Sequence, residues 1–163
     1  MPTARHTRTI VAPVQELWET IGDPHHLPRW WPRVSRVEDV TEHAFTEVLS
    51  TKSGKFVRAD FEIVDVVSPQ RIVWSQQVQN SPFARVLRSS ETEIDLTDLT
   101  ETGPGDGPST EVTIELRQEL HGFMPGAGRR FMASAKLGSP LVRRAADATV
   151  KEALDGLERI VGR

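Results

Sequence analysis

The order of parts along this chain constrains its fold more than any single motif does. A strand-like opening at residues 3–12 runs into a proline-started amphipathic helix, then into the turn Asp23-Pro24-His25-His26-Leu27-Pro28-Arg29-Trp30-Trp31-Pro32. About 90 residues of period-two pattern follow, and one long helix closes the chain. This order predicts a strongly curved antiparallel sheet wrapped around a single long helix, with a hollow between the two.

Local patterns support each part. Val14, Leu17, Trp18 and Ile21 recur at i, i+3, i+4 and i+7, the stripe of a helix with one covered face, and Pro13 suits its first position. Prolines at 24, 28 and 32 then allow only a short helical turn and an extended link. Strands are expected at 34–42, 44–51, 55–67, 70–78, 85–97 and 110–121, joined by hairpins. Alternation puts Val57, Ala59, Phe61 and Ile63 on one face of their strand, and Val112, Ile114, Leu116, Gln118 and Leu120 on one face of the last. In the closing helix Val142, Ala146, Val150, Ala153, Leu157 and Val161, joined by Leu154 and Ile160, form a stripe that must be covered. Ser139-Pro140 reads as a helix start. The segment before it, 123–133, reads as a flexible gate or as earlier helix, and a helix from about Gly128 with a bend at 138–140 is the expectation.

The 163 residues amount to one expected domain, 1–163, and no apolar run reaches the roughly 18 residues of a membrane span. With no secretion-type leader and no cysteine, the expected location is cytoplasmic, without disulfides or thiolate metal sites. Residues 1–128 carry 12 basic against 19 acidic side chains, and residues 129–163 carry 8 against 4. The net charge of −3 argues against a nucleic-acid partner. The basic tail is expected to neutralise the acidic sheet it packs on, peripheral contact with an anionic membrane being the alternative.

Ala12-Pro13-Val14-Gln15-Glu16-Leu17-Trp18, then Asp23-Pro24, then Trp31-Pro32 resemble the opening of the START-like superfamily, also called SRPBCC. Its bacterial members are often described as polyketide cyclase/dehydrase and lipid transport proteins. The resemblance covers almost the whole chain. It implies an α+β helix-grip fold: a seven-stranded curved antiparallel sheet around a long C-terminal helix, with two short helices between the first two strands. It also implies a ligand cavity, and places Trp30 and Trp31 near its mouth, one packed under the helix and its neighbour toward the ligand. Relatives bind lipids, sterols, polyketides or quinones, cyclise aromatics, or act as chaperone cofactors, so the fold alone does not choose among functions.

Alternation supplies cavity residues, each weighed against ordinary core packing. Ile72, Trp74 and Gln76 share a face, as do Val86, Arg88, Ser90, Thr92, Ile94 and Leu96. If the apolar members of the second set look inward, Arg88 does too, where it would meet a ligand carboxylate, phenolate or enolate; an internal salt bridge, or a bulge turning it outward, is the alternative. Gln76 and Gln118 read as amides that orient a ligand carbonyl or as satisfied core amides. Phe61 and Ser90 join the expected wall. Phe83, Phe123, Phe131 and Met132 read as gate or wall, and Trp18 as core.

The exclusions are chemical. No Gly-x-Ser-x-Gly elbow occurs, and Gly103-Pro104-Gly105-Asp106-Gly107 lacks the Lys-Ser/Thr of a phosphate loop. His25 and His26 have no zinc-ligand spacing, so neither metal nor cofactor is expected. His121 is a general acid or base in outline, and the absence of tyrosine excludes a phenol donor. The function expected is binding of a small hydrophobic or aromatic ligand between sheet and closing helix. Polyketide cyclase/dehydrase-like catalysis, which requires a perturbed acid or base in the pocket, and an adaptor with a filled interior are the alternatives. Ligand identity and oligomeric state stay open.

Overall fold

Seven strands alternate between a covered and an open face, and their pairing builds one sheet. In this computed structural model the described residues are 3–101, 105, 107–120 and 128–162, with side chains described for all of them except Thr3 and 128–139. The strands are β1 (Thr3–Ile10), β2 (Val34–Glu38), β3 (Ala44–Ser50), β4 (Phe56–Val67), β5 (Arg71–Gln76), β6 (Leu87–Asp98) and β7 (Thr110–Leu120). They lie in the order β1-β7-β6-β5-β4-β3-β2, all neighbours antiparallel. Helices α1 (Val14–Ile21) and α2 (Leu27–Trp30) connect β1 to β2, and α3 (Gly128–Val161) closes the chain. This is the helix-grip arrangement expected from the sequence.

Register stacks the inward residues into rows. Trp74, Thr92 and Leu116 are cross-strand neighbours, as are Ile72, Ile94 and Ile114, and all six are buried. Against them α3 buries Ala146, Val150, Ala153, Leu154, Leu157 and Val161, which is the expected stripe. The outward face carries a charge ladder instead. Arg117 bridges Glu91, Glu93 and Glu115, and Arg71 bridges Asp65 and Glu93.

Three local expectations change. Pro13 is the extended residue before α1 (φ −64°, ψ 145°) rather than its first helical residue. The helix begins at Gly128, as expected, but Ser139-Pro140 is not a second start: α3 runs on with Pro140 inside it. The missing proline N–H removes one backbone bond but not the helical path of the flanking turns. Residues 123–127, the remainder of the gate, lie outside the described residues. The charges between tail and sheet also pair in the opposite sense to that expected. The acids of α3 meet the bases of β1: His6 Nε2 lies 2.5 Å from Asp147 Oδ1, and Arg8 donates to Asp155. The His6 hydrogen bond, followed by one from Lys151, holds the Asp147 carboxyl below its ordinary value.

One glycine is required by space. A Cβ built on Gly156 of α3 would stand 2.4 Å from the Trp30 carbonyl oxygen and 2.9 Å from its Cα. The C-terminal half of α3 is therefore seated directly on the end of α2.

Candidate functional site

Where α3 meets the sheet with small residues, the interior stays open. Val150, Leu154, Leu157 and Val161 fill the space along the C-terminal half of the helix. One to three turns earlier the facing positions are Val142, Ala145, Ala146 and Thr149, and Ala59 of β4 is equally small. The result is a cavity of about 350 Å³, the size range of small-molecule sites. Its wall is mostly apolar: Leu49, Phe61, Trp74, Leu87 and Leu116 from the sheet, Trp31 and Pro32 from the link after α2, and Phe83 and Val86 from the turn before β6. Val86 is half exposed, and marks the side on which the cavity meets solvent.

Aromatic rings form one continuous cluster on and behind this wall. Phe45 stacks on Phe61 at 5.2 Å and meets Trp74 edge-on at 5.5 Å; Trp74 meets Trp31 at 5.8 Å, and Trp31 meets Trp30 at 5.4 Å. Such contacts contribute about 0.5–1.5 kcal/mol each beyond burial and hold the rings in fixed orientations. Polar groups on this apolar wall are few, and several lack partners. The buried nitrogens Trp74 Nε1 and Gln76 Nε2 have no hydrogen-bond partner among the described residues. Gln118 Nε2 donates weakly to Ser90 Oγ at 3.4 Å.

Glu47 is the group that sequence reasoning missed. It lies on β3 between Phe45 and Leu49, is 3% exposed, lines the cavity, and makes no hydrogen bond or ion pair among the described residues. Burial alone pushes its carboxyl up to about 8, so it is mostly protonated at neutral pH. The signal was present: a glutamate at i+2 from Phe45 and i−2 from Leu49 occupies an apolar strand face. Arg33, exposed and held at φ 68°, is a further missed residue at the wall, in a conformation that a non-glycine residue adopts at a cost.

Of the expected site residues, Trp31, Phe61, Trp74, Gln76, Phe83 and Gln118 line this one cavity. Trp30 is buried under α3 instead, and Ser90 is buried behind Gln118. Arg88 requires a correction: it is exposed and absent from the wall. A β-bulge between Leu87 and Ser89 shifts the register by one, so that Leu87 and Ser90 both face inward and Arg88 faces solvent. The side chains of Phe131 and Met132, and all of His121 and Phe123, lie outside the described residues.

A second depression, about 660 Å³, lies at the opposite end of the strands around the β4–β5 turn. Its wall includes Arg71, which is tied to Asp65 and Glu93, and the carboxyls Asp95 and Asp98. Although larger, it carries charged groups on its wall, whereas the interior cavity has the mostly apolar, aromatic wall of a ligand site. Among the described residues no group of three or more His, Asp or Glu is placed to hold a metal ion.

Comparison with known proteins bears on this geometry. The family model described as polyketide cyclase/dehydrase and lipid transport matches residues 1–162. A START superfamily protein from Mycobacterium smegmatis superimposes with a TM-score of 0.69 at 14% identity, covering 98% of this chain and 96% of that one. A protein from Thermus thermophilus gives 0.69 at 21% identity, with 97% and 95% covered. The di-domain ARO/CYC StfQ from the steffimycin biosynthetic pathway gives 0.66 at 14% identity; this chain is covered over 98% and spans 50% of that one. At these identities the superpositions show the fold. No curated protein matches the chain.

Proposed function

Since the chain belongs to the polyketide cyclase/dehydrase and lipid transport family of the START superfamily, we propose that it holds a small hydrophobic or aromatic molecule in the cavity between sheet and α3. The observation that carries this reading is the change of packing along α3. Among the described side chains, large ones fill the interior along the C-terminal half of α3, while Ala145, Ala146 and Thr149 border open volume beside aromatic rings. Each 100 Å² of apolar ligand surface covered contributes about 2.5 kcal/mol before the cost of immobilisation. The rings supply flat walls suited to a flat ligand. The reading includes a one-domain, cytoplasmic protein, and among the described residues no helix is long and apolar enough to cross a membrane. The adaptor alternative, which requires a filled interior, is disfavoured by the open volume.

Native mass spectrometry of freshly purified protein tests the proposal. A retained small molecule, displaced by an added bicyclic aromatic, is the expected result; a protein that neither carries nor binds any such compound refutes it.

One observation favours the catalytic alternative as a second reading. Glu47 is an acid with a raised proton affinity inside the pocket, as polyketide cyclase/dehydrase-like chemistry requires. Turnover of a poly-β-keto thioester, lost in Glu47→Gln with binding retained, would establish it.

A further inference from the structure

The polar groups of the cavity share a preference that its apolar wall does not explain. Glu47 has only Val37 and Ala59 as cross-strand neighbours, from β2 and β4. Among the described side chains, the part of α3 on the cavity offers Val142, Ala145, Ala146 and Thr149, none of them charged. Gln76 and Gln118 are neutral. Arg33, on the link before β2, is the one other charged residue among the described residues of the wall, and it forms no ion pair with Glu47. Among the described residues an ionised Glu47 would thus be a buried carboxylate without compensation, which is costly. The groups nearby that lack partners, Trp74 Nε1 and Gln76 Nε2, are donors, and so is the Arg33 guanidinium. A donor-rich wall disfavours an ammonium ligand and favours oxygen acceptors.

We infer that Glu47 is the specificity-determining residue of the cavity, donating a hydrogen bond as a carboxylic acid to the carbonyl or hydroxyl oxygen of an uncharged ligand, with the Gln76 amide as a second donor. This rests on the ligand-cavity reading above. Ligands of the same frame are then ranked by oxygen rather than by apolar area. Binding also requires the proton on Glu47. With a value near 8, the protonated fraction falls about tenfold between about pH 6 and pH 9, and apparent affinity falls with it.

Calorimetry on the full chain with α-tetralone, its oxygen-free counterpart tetralin and the cationic aminotetralin tests this. The wild type binds tetralone about tenfold or more tighter than tetralin near pH 6, and loses about tenfold toward pH 9. Glu47→Gln keeps an N–H donor, so it retains the preference for tetralone and loses the pH dependence. Glu47→Leu, with folding checked by thermal unfolding, loses most of that preference and keeps only what the Gln76 amide supplies. Preference for aminotetralin, an undiminished preference for tetralone in Glu47→Leu, or a pH profile surviving in Glu47→Gln overturns the inference. Equal binding of tetralone and tetralin by the wild type sinks the role of Glu47 alone; failure of both to bind sinks the cavity reading itself.

Discussion

Replacing Glu47 by glutamine in the ligand-free protein isolates the energetic cost of placing this acid in an apolar wall. In the unfolded chain the carboxyl releases its proton around its ordinary value of 4.5, whereas in the folded protein it keeps it until about 8. Between these values the folded state binds more protons than the unfolded state, so stability falls as pH rises. At about 1.4 kcal/mol per pH unit, the loss from pH 4.5 to 7 is on the order of 3 kcal/mol, and it levels off above 8, where both states are ionised. Glutamine has nearly the same shape and no proton to release. The expected outcome is a stability difference, Glu47→Gln minus wild type, that grows by about 3 kcal/mol from pH 4.5 to 7 and then approaches a plateau. Urea unfolding of both proteins across that range measures it, and taking the difference cancels every other titrating group, including Asp95, whose carboxyl burial and Glu93 raise to about 6. A difference that is flat with pH, or that shrinks as pH rises, refutes the reasoning.

Gly156→Ala forces a methyl group to within 2.4 Å of the Trp30 carbonyl oxygen. It should cost about 1–3 kcal/mol in denaturant unfolding, despite the higher helix propensity of alanine. Thr149→Leu fills part of the open volume, and should abolish binding of a bicyclic probe in calorimetry while leaving the thermal midpoint unchanged or higher. Arg88→Ala removes an exposed side chain, so stability should change by less than about 0.5 kcal/mol and probe affinity should not change.

Much of the fold was legible because burial follows period. The faces of β4 and β7 and the stripe of α3 emerged as read, since a sheet with one covered side and a helix with one covered face leave unambiguous patterns. Arg88 was misread because alternation assumes unbroken pairing, and a one-residue bulge carries no mark in the sequence of β6. Glu47 was readable by the same rule but lies on a strand whose other face is also covered: Thr46 and Val48 are as buried as Phe45. With burial on both sides, period two no longer separates inside from outside. The helix start near Gly128 was read correctly, whereas Ser139-Pro140 resembled a start because a capping pair is a local preference and the course of α3 is set over 34 residues. The roles of Trp30 and Trp31 separated only in three dimensions, where α2 ends between them.

The seat of Gly156 on Trp30 divides α3 into an anchored length and a tunable one. The grip of the sheet on the helix is secured at the anchored end, by backbone approaching backbone. The tunable end carries small side chains at 145, 146 and 149, where larger ones would take up part of the open volume. Selection can thus resize the chamber without renegotiating the architecture, in keeping with chains that share 14% of their residues yet superimpose along nearly their whole length.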